Sequence, residues 1–439
     1  MGGLLHHGGD RPGCDAGISV LTNRPEAVYV CTYLAVPSGR TPLVDRLTAR
    51  RRLALFGLFL IPGLALSSWV TRTPDIRDLL GASTAEMGLV LFGLSAGSMI
   101  GILFSGKLVT RFGTKPVITA ASLTIVACTP VVGLGAALSQ SLLVAAGLFL
   151  LGLGFGCGEV AMNVDGADVE RVIGRPVLPM MHGCFSLGTV VGAVLGMVFT
   201  QVRFPVVAHL AGLALLTLPL AVAAIRMIPA GTGREERHEQ TTKGPAVWRD
   251  RRLLLIGVIV LGMALAEGAA NDWLPLIMVD GHGLDPALGS GVYVVFVAAM
   301  TIGRFTGTYF LNRLGRAVVL GASAVIGGLG LAVVIAVDNQ IAAAAAVLLW
   351  GLGSALGFPV ALSAAGDSGP NPTARVSLVA TVGYLAFLVG PPALGFLGEH
   401  VGLRGAMLVV LAFLAIAALA TPALGGKQIL GARTEEVRI

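Results

Sequence analysis

The 439-residue chain has little charge: Asp, Glu, Lys and Arg together make up 12%, against roughly 25% in an ordinary soluble domain. With 55% hydrophobic residues and a mean hydropathy of +0.84, that scarcity excludes a water-soluble globule. Cysteine is scarce too. The five cysteines, Cys14, Cys31, Cys128, Cys157 and Cys184, show no CxxC or ligand spacing, and three fall inside apolar runs as small apolar residues. Neither a disulfide framework nor a metal site is therefore expected, and His6 and His7 beside Asp10 and Cys14 read as an unstructured pair. No GxxxxGK[ST] stretch is present, so ATP is not expected to drive any work done here. No convergent nucleophile and base stand out either, so neither an enzyme nor a cofactor is expected.

What fills the chain is apolar sequence. Runs of about 20 residues, each enough to cross roughly 30 Å of hydrocarbon, occur twelve times. They lie near residues 53–74, 85–105, 116–137, 142–164, 179–201, 206–228, 252–274, 287–310, 317–337, 342–364, 376–397 and 403–424. The fold class is an all-α polytopic membrane protein, and the lipid bilayer is its first partner. The only long charged stretch between spans falls between the sixth and seventh. It divides the chain into an N-terminal tail (1–50), a six-helix bundle (51–229), a linker (230–251), a second bundle (252–424) and a C-terminal tail (425–439). The first tail has one apolar run, Val28 to Val36, too short to span, and is read as disordered.

Basic residues set the expected orientation. With both termini in the cytoplasm, inner loops, flanks and tail beyond residue 45 hold 22 of the 30 Lys and Arg, and outer loops hold four: Arg72, Arg77, Arg203 and Arg404. The net charge of +6 is thereby a topology signal and needs no nucleic-acid partner.

Two patterns recur in the two halves. GILFSGKLVTRFG at Gly101 to Gly113 matches GRFTGTYFLNRLG at Gly303 to Gly315, with glycine, arginine and glycine each displaced by 202 residues. LGLGFGCGEV at Leu151 matches WGLGSALGFP at Trp350, with the glycines displaced by 199. Two such pairs in the same order mark a tandem duplication.

Charge inside a span is costly, so each such residue is a functional candidate. In the fourth span Glu159 and Asn163 lie one turn apart on a stripe with Gly152, Gly156 and Gly166, and in the fifth His182 heads a similar stripe. Glu159 and His182 fall in the cytoplasmic half, where they could carry protons or bond across a helix interface. In the seventh span, EGAANDWLP places Glu267 and Asn271 on one face, with no arginine or lysine at the depth of Glu267. Asp272 is expected near the outer mouth, with Trp273 an interfacial belt residue. Arg72 reads either as a lure for anions or as a snorkelling side chain. Arg304 reads as a fastener of the inner gate, and Gly390, Pro391, Pro392 and Gly395 as a kink.

Two tandem six-span halves with this repeated loop resemble the major facilitator superfamily. The loop keeps Gly106, Arg111, Gly113 and Lys115, with Arg313 and Gly315 in the second copy, but it has Thr110 and Asn312 where the family usually carries aspartate. WVTRTPDIRDLL, VLPMMHGCFSLGT and GYLAFLVGPPALGFLGEHVGLR resemble more narrowly the YbjJ-like branch of bacterial inner-membrane proteins. The resemblance implies a secondary transporter in the bacterial cytoplasmic membrane, rocking about a site formed by the first, fourth, seventh and tenth spans. On that template Glu159, Asn163, Glu267 and Asn271 face the cavity, and His182 and Tyr384 flank it. The expected cargo is a small, mostly polar solute with protons as co-substrate, the protein acting as a monomer. Proton-driven efflux of amphipathic compounds and a transport-inactive sensor are the alternatives.

Overall fold

The computed structural model describes residues 42–174, 177–234 and 249–425. The expected tails and most of the linker lie outside the described residues, except that residues 42–50, assigned to the first tail, are already helical. The elements in order are α1 (Pro42–Val70), α2 (Thr73–Leu80), α3 (Thr84–Phe112), α4 (Thr114–Ala137), α5 (Ser141–Ile173), α6 (Leu178–Gln201), α7 (Val206–Met227) and α8 (Arg251–Leu276), which continues through a π turn at Ile277–Gly281. There follow α9 (Pro286–Ala336), α10 (Gln340–Ser354), α11 (Gly357–Gly366) and α12 (Pro372–Ala420).

Among the described residues, ten continuous helices are long and apolar enough to cross a membrane, α10 and α11 counting together. Two of them are double. The 51-residue α9 breaks at Gly315 (φ 77°, ψ 165°) and the 49-residue α12 at Gly402 (φ 75°, ψ 156°), so the described residues form twelve membrane-length segments. Gly113, between α3 and α4, has nearly the conformation of Gly315 (φ 86°, ψ 168°), and both lie in the left-handed region where a side chain would be strained. Helix α12 stays helical through Pro391 and Pro392, so its break is at Gly402 and not at the prolines.

Local sequence sets several starts. Ser83 and Glu86 close a capping box at the head of α3, and the side chains of Asp250, Asp285 and Asn339 accept backbone N–H groups at the heads of α8, α9 and α10.

Packing repeats with the sequence. A Cβ on Gly152 of α5 would lie 2.0 Å from the carbonyl oxygen of Leu94 on α3, and one on Gly351 of α10 would lie 2.6 Å from that of Phe296 on α9. Leu94 and Phe296 are themselves 202 apart. Gly154 meets Ala121 of α4, and Gly353 meets Ser323, again 202 apart. Backbone contact of this kind needs residues without side chains, because helices in lipid gain from close van der Waals packing and not from hydrophobic exclusion. The two halves are thus two copies of one arrangement.

The halves meet along α3 with α12 and α6 with α9. Helices α1 and α8 are the most enclosed, 72% and 67% of their most apolar stretches being buried, and so lie centrally. Trp273 is fully buried, its ring tip beside Gly395 of α12; it is a core residue and not an interfacial one, because α8 is enclosed rather than lipid-facing.

Replacing Gly152 by alanine is expected to push α3 and α5 apart and cost about 1–3 kcal/mol, the usual range for overpacking. Gly212→Ala, where an added Cβ meets nothing, is expected to leave stability unchanged. Thermal unfolding of the two purified variants checks this.

Candidate functional site

The two ends of the bundle differ. At the end carrying Gly113 and Gly315, here the basic end, each half is tied within itself. Arg51 donates to Asp165 (2.6 Å), to Asp168 (2.6 Å) and to Thr232 (3.3 Å), while Thr114 donates to the second oxygen of Asp165 at 2.5 Å. One fully buried carboxylate thereby joins α1, α4, α5 and the segment after α7. In the second half Arg316 pairs with Asp367 at 2.6 Å, and Arg375 pairs with Asp250. The hydrogen bond from Arg375 holds the Asp250 carboxyl below its usual range. Sequence reading missed Asp165 and its partners, although Asp165 and Asp367, like Thr114 and Arg316, are 202 apart. The signal was in the duplication.

The loop arginines behave differently. Arg111 lies 5.2 Å from the centre of the Phe112 ring and Arg313 lies 4.5 Å from that of Tyr309, and both side chains are exposed. An added Cβ on Gly106 would meet open space, and Lys115 is half-buried.

At the far end the halves are bonded to each other. Arg77 of α2 pairs with Asp280 beyond α8, Glu399 of α12 accepts the backbone N–H of Ala85 at 3.1 Å, and Ser290 of α9 donates to the carbonyl of Thr71 at 2.6 Å. Each of these three bonds crosses from one half to the other. Arg72, 3% exposed, neither snorkels nor faces a solute: it donates to Asp75 (2.7 Å) and to the carbonyl of Phe204 (2.7 Å), fixing α1 to the turn between α6 and α7.

Between the two ends lies a polar cluster. Arg304 Nη2 of α9 donates to Glu267 Oε1 of α8 at 2.9 Å. This corrects two expectations. Glu267 does have a basic partner, and Arg304 belongs to the centre and not to a gate, because α8 and α9 run antiparallel and bring positions 267 and 304 to one depth. Glu159 of α5 faces this pair from the other half, within electrostatic reach of both Arg304 and Glu267. Among the described residues it makes no hydrogen bond or ion pair. Its side chain is exposed although protein surrounds it, so it lines a water-accessible cavity.

The remaining expected residues flank this core. His182 Nε2 is 3.0 Å from Asn163 Oδ1, and since that oxygen only accepts, Nε2 donates; the partner of His182 is Asn163 and not Glu159. The His182 ring meets Phe59 edge-on at 5.0 Å. Tyr293, not anticipated, donates its hydroxyl to Asn271 at 3.0 Å. Tyr384 stands within electrostatic reach of Glu159, its ring 5.5 Å from that of Phe358, which in turn lies 6.2 Å from Phe387. Asp272 is only 8% exposed, enclosed next to Trp273 and not at an open mouth.

The cluster can hold a solute between halves and exchange ionic partners. Arg304 is bonded to one carboxylate and close to a second, and the second belongs to the other half of the molecule.

Comparison with known proteins bears on the family and the fold. The family model described as Major Facilitator Superfamily matches residues 19–175 and 177–377. An uncharacterized MFS-type transporter of Yersinia pestis is 31% identical over 367 residues, covering 82% of this chain and 93% of its own length. The uncharacterized transporter y4wD of Sinorhizobium fredii is 29% identical, covering 83% and 96%. Among solved structures, a point mutant of the nucleoside transporter NupG superposes with a TM-score of 0.69 over 86% of this chain and 99% of its own, at 15% identity, which speaks to the fold alone.

Glu267→Gln leaves Arg304 without its partner, and Arg304→Gln leaves Glu267 without its own. Each single variant is expected to be less stable than the double variant, with a coupling of about 0.5–3 kcal/mol, as for other contacting pairs. A double-mutant cycle on thermal or denaturant unfolding measures it.

Proposed function

Because the chain belongs to the Major Facilitator Superfamily, and so to a family of secondary transporters, we propose that it carries a small, mostly polar solute by alternating access coupled to protons. The observation that carries the reading is the Arg304–Glu267 pair beside an unpaired Glu159 in a bundle bonded shut at one end. The basic end is the cytoplasmic one, following the bias of Lys and Arg, and the described conformation is inward-facing: closed by Arg77, Glu399 and Ser290 outside, with Glu159 and His182 accessible from within. The bundles at 51–229 and 252–424 rock as units, each held at its inner end by the ties of Asp165 and of Asp250 and Asp367.

Coupling follows from competition for Arg304. While Glu267 is ionised, Arg304 stays within the second half. A proton on Glu267 weakens that bond and frees Arg304 for Glu159, an interaction that spans the halves and draws the inner end closed. Solute held between the halves by Asn163, His182, Asn271 and Tyr384 changes side in the opposite half-cycle, while Arg304 stays on Glu267. Export of amphipathic compounds by proton antiport uses the same carboxylates, with solute and proton moving in opposite directions. The half-exposed rings of Tyr384, Phe358 and Phe387 make room for it.

Protein reconstituted in liposomes containing a pH-sensitive dye is expected to show solute-dependent proton movement that Glu267→Gln abolishes while binding persists. Proton movement that survives Glu267→Gln would end this coupling scheme. A second check is conformational. On a Ser290→Cys background, which already lacks the bond to Thr71, Asp280→Asn combined with Glu399→Gln removes the other two closures of the far end and is expected to raise labelling of that position by a membrane-impermeant maleimide several-fold. Unchanged labelling would show that these bonds do not hold that end shut.

A further inference from the structure

The chemistry of the central cavity narrows the solute, on the premise that this cavity is the transport site proposed above. Among the described residues, Glu159, Glu267 and Arg304 are the acidic and basic side chains grouped at the cavity, while Asp272, five residues beyond Glu267 on α8, is enclosed. Arg304 and Glu267 neutralise one another at 2.9 Å, which leaves the Glu159 carboxylate as the surplus charge, accessible and without a hydrogen-bond partner among the described residues. A carboxylate enclosed by protein is stabilised by any cation that reaches it, and charge-assisted hydrogen bonds are about twice as strong as neutral ones. An anion would instead have to sit beside Glu159 and take Arg304 from Glu267. The wall next to Glu159 is aromatic: Tyr384 stands within its electrostatic reach, its ring packs on Phe358 at 5.5 Å, and no protein group takes up its hydroxyl among the described residues. Aromatic faces attract cations and cover apolar carbon. One turn along α5 from Glu159, Asn163 and its partner His182 offer a hydrogen-bonding pair, so the site has one anionic point, one aromatic face and one polar face.

We propose that the solute is an organic monocation, a protonated amine on a compact carbon skeleton, with its ammonium on Glu159, its skeleton against Tyr384 and any hydroxyl toward His182 and Asn163. The ammonium then occupies the position that Arg304 would take across the halves, so solute and Arg304 exclude each other at Glu159.

Three probes of one skeleton and different charge test this: phenethylamine, 2-phenylethanol and phenylacetate, titrated against the full-length purified protein by thermal shift and by counterflow in proteoliposomes. Phenethylamine is expected to bind about tenfold more tightly than the alcohol, with phenylacetate weakest. Glu159→Gln is expected to remove the preference for the amine while keeping the alcohol's affinity, and Glu159→Asp, which retains the charge, to keep the preference and report that the fold is intact. An amine preference that survives Glu159→Gln, tighter binding of phenylacetate, or no binding by any of the three overturns the assignment. Counterflow of the alcohol without the amine upholds transport and overturns the cationic class. Amine binding that depends on Glu159 but gives no counterflow upholds the class and removes the transport reading.

Discussion

Everything in this molecule rests on how closely its helices approach. In lipid there is no hydrophobic force between helices, so contact has to come from backbone laid against backbone, and that is possible only where side chains are missing. Gly152 against Leu94 and Gly351 against Phe296 are the same solution in each half. They fix α5 to α3 and α10 to α9, and through α5 they fix the depth and heading of Glu159. Gly63 and Gly188 do the same for α1 and α6, each lying within 2.4 Å of the other helix's carbonyls if a Cβ is added. A polar group in such a bundle is held by helices that have little freedom to adjust, which suits a site whose partners are to be exchanged and not rearranged.

Charge is distributed to match. Near the basic end the ion pairs close each half on itself, and at the far end they close the halves on each other. In the middle, among the described residues, there is one complete pair, Glu267 with Arg304, and the accessible carboxylate of Glu159 left over. A rigid unit needs the first kind, a gate needs the second, and a carrier needs the third. The buried Arg72 shows how much of the protein serves fastening: its guanidinium holds Asp75 and a carbonyl on the turn after α6 and is closed off from any solute.

Much of this was legible in the sequence because a membrane simplifies the code. Twelve apolar runs and the duplication at 202 and 199 follow from hydropathy and spacing alone. Glu159, Asn163, His182, Glu267 and Asn271 could be singled out because ionisable and amide groups inside spans are few. What spacing could not supply was pairing between helices. Glu267 looked unpartnered since Arg304 lies 37 residues away, and only the antiparallel course of α8 and α9 brings the two to one depth. Trp273 looked interfacial because it follows a polar cluster near a span's end, yet α8 is central and continues to Gly281 through a π turn, so the position is enclosed. His182 met Asn163 and not Glu159 for the same reason: register along one helix does not say which residue of its neighbour arrives at that height.

The leftover carboxylate on α5 has an electrical meaning. In the proposed cycle Glu267 and Arg304 of the second half form a neutral pair, so their movement displaces no net charge relative to the membrane field. The first half carries Glu159. Whenever that carboxylate is ionised and empty, the change from one facing to the other displaces charge through part of the field, at about 2.3 kcal/mol for a full elementary charge across 100 mV. A cation or proton seated on it cancels that work. In that proposed cycle the resting membrane voltage pulls on the empty carrier and leaves the occupied one alone, so the return step, and not the loaded one, is where membrane energisation would set the speed.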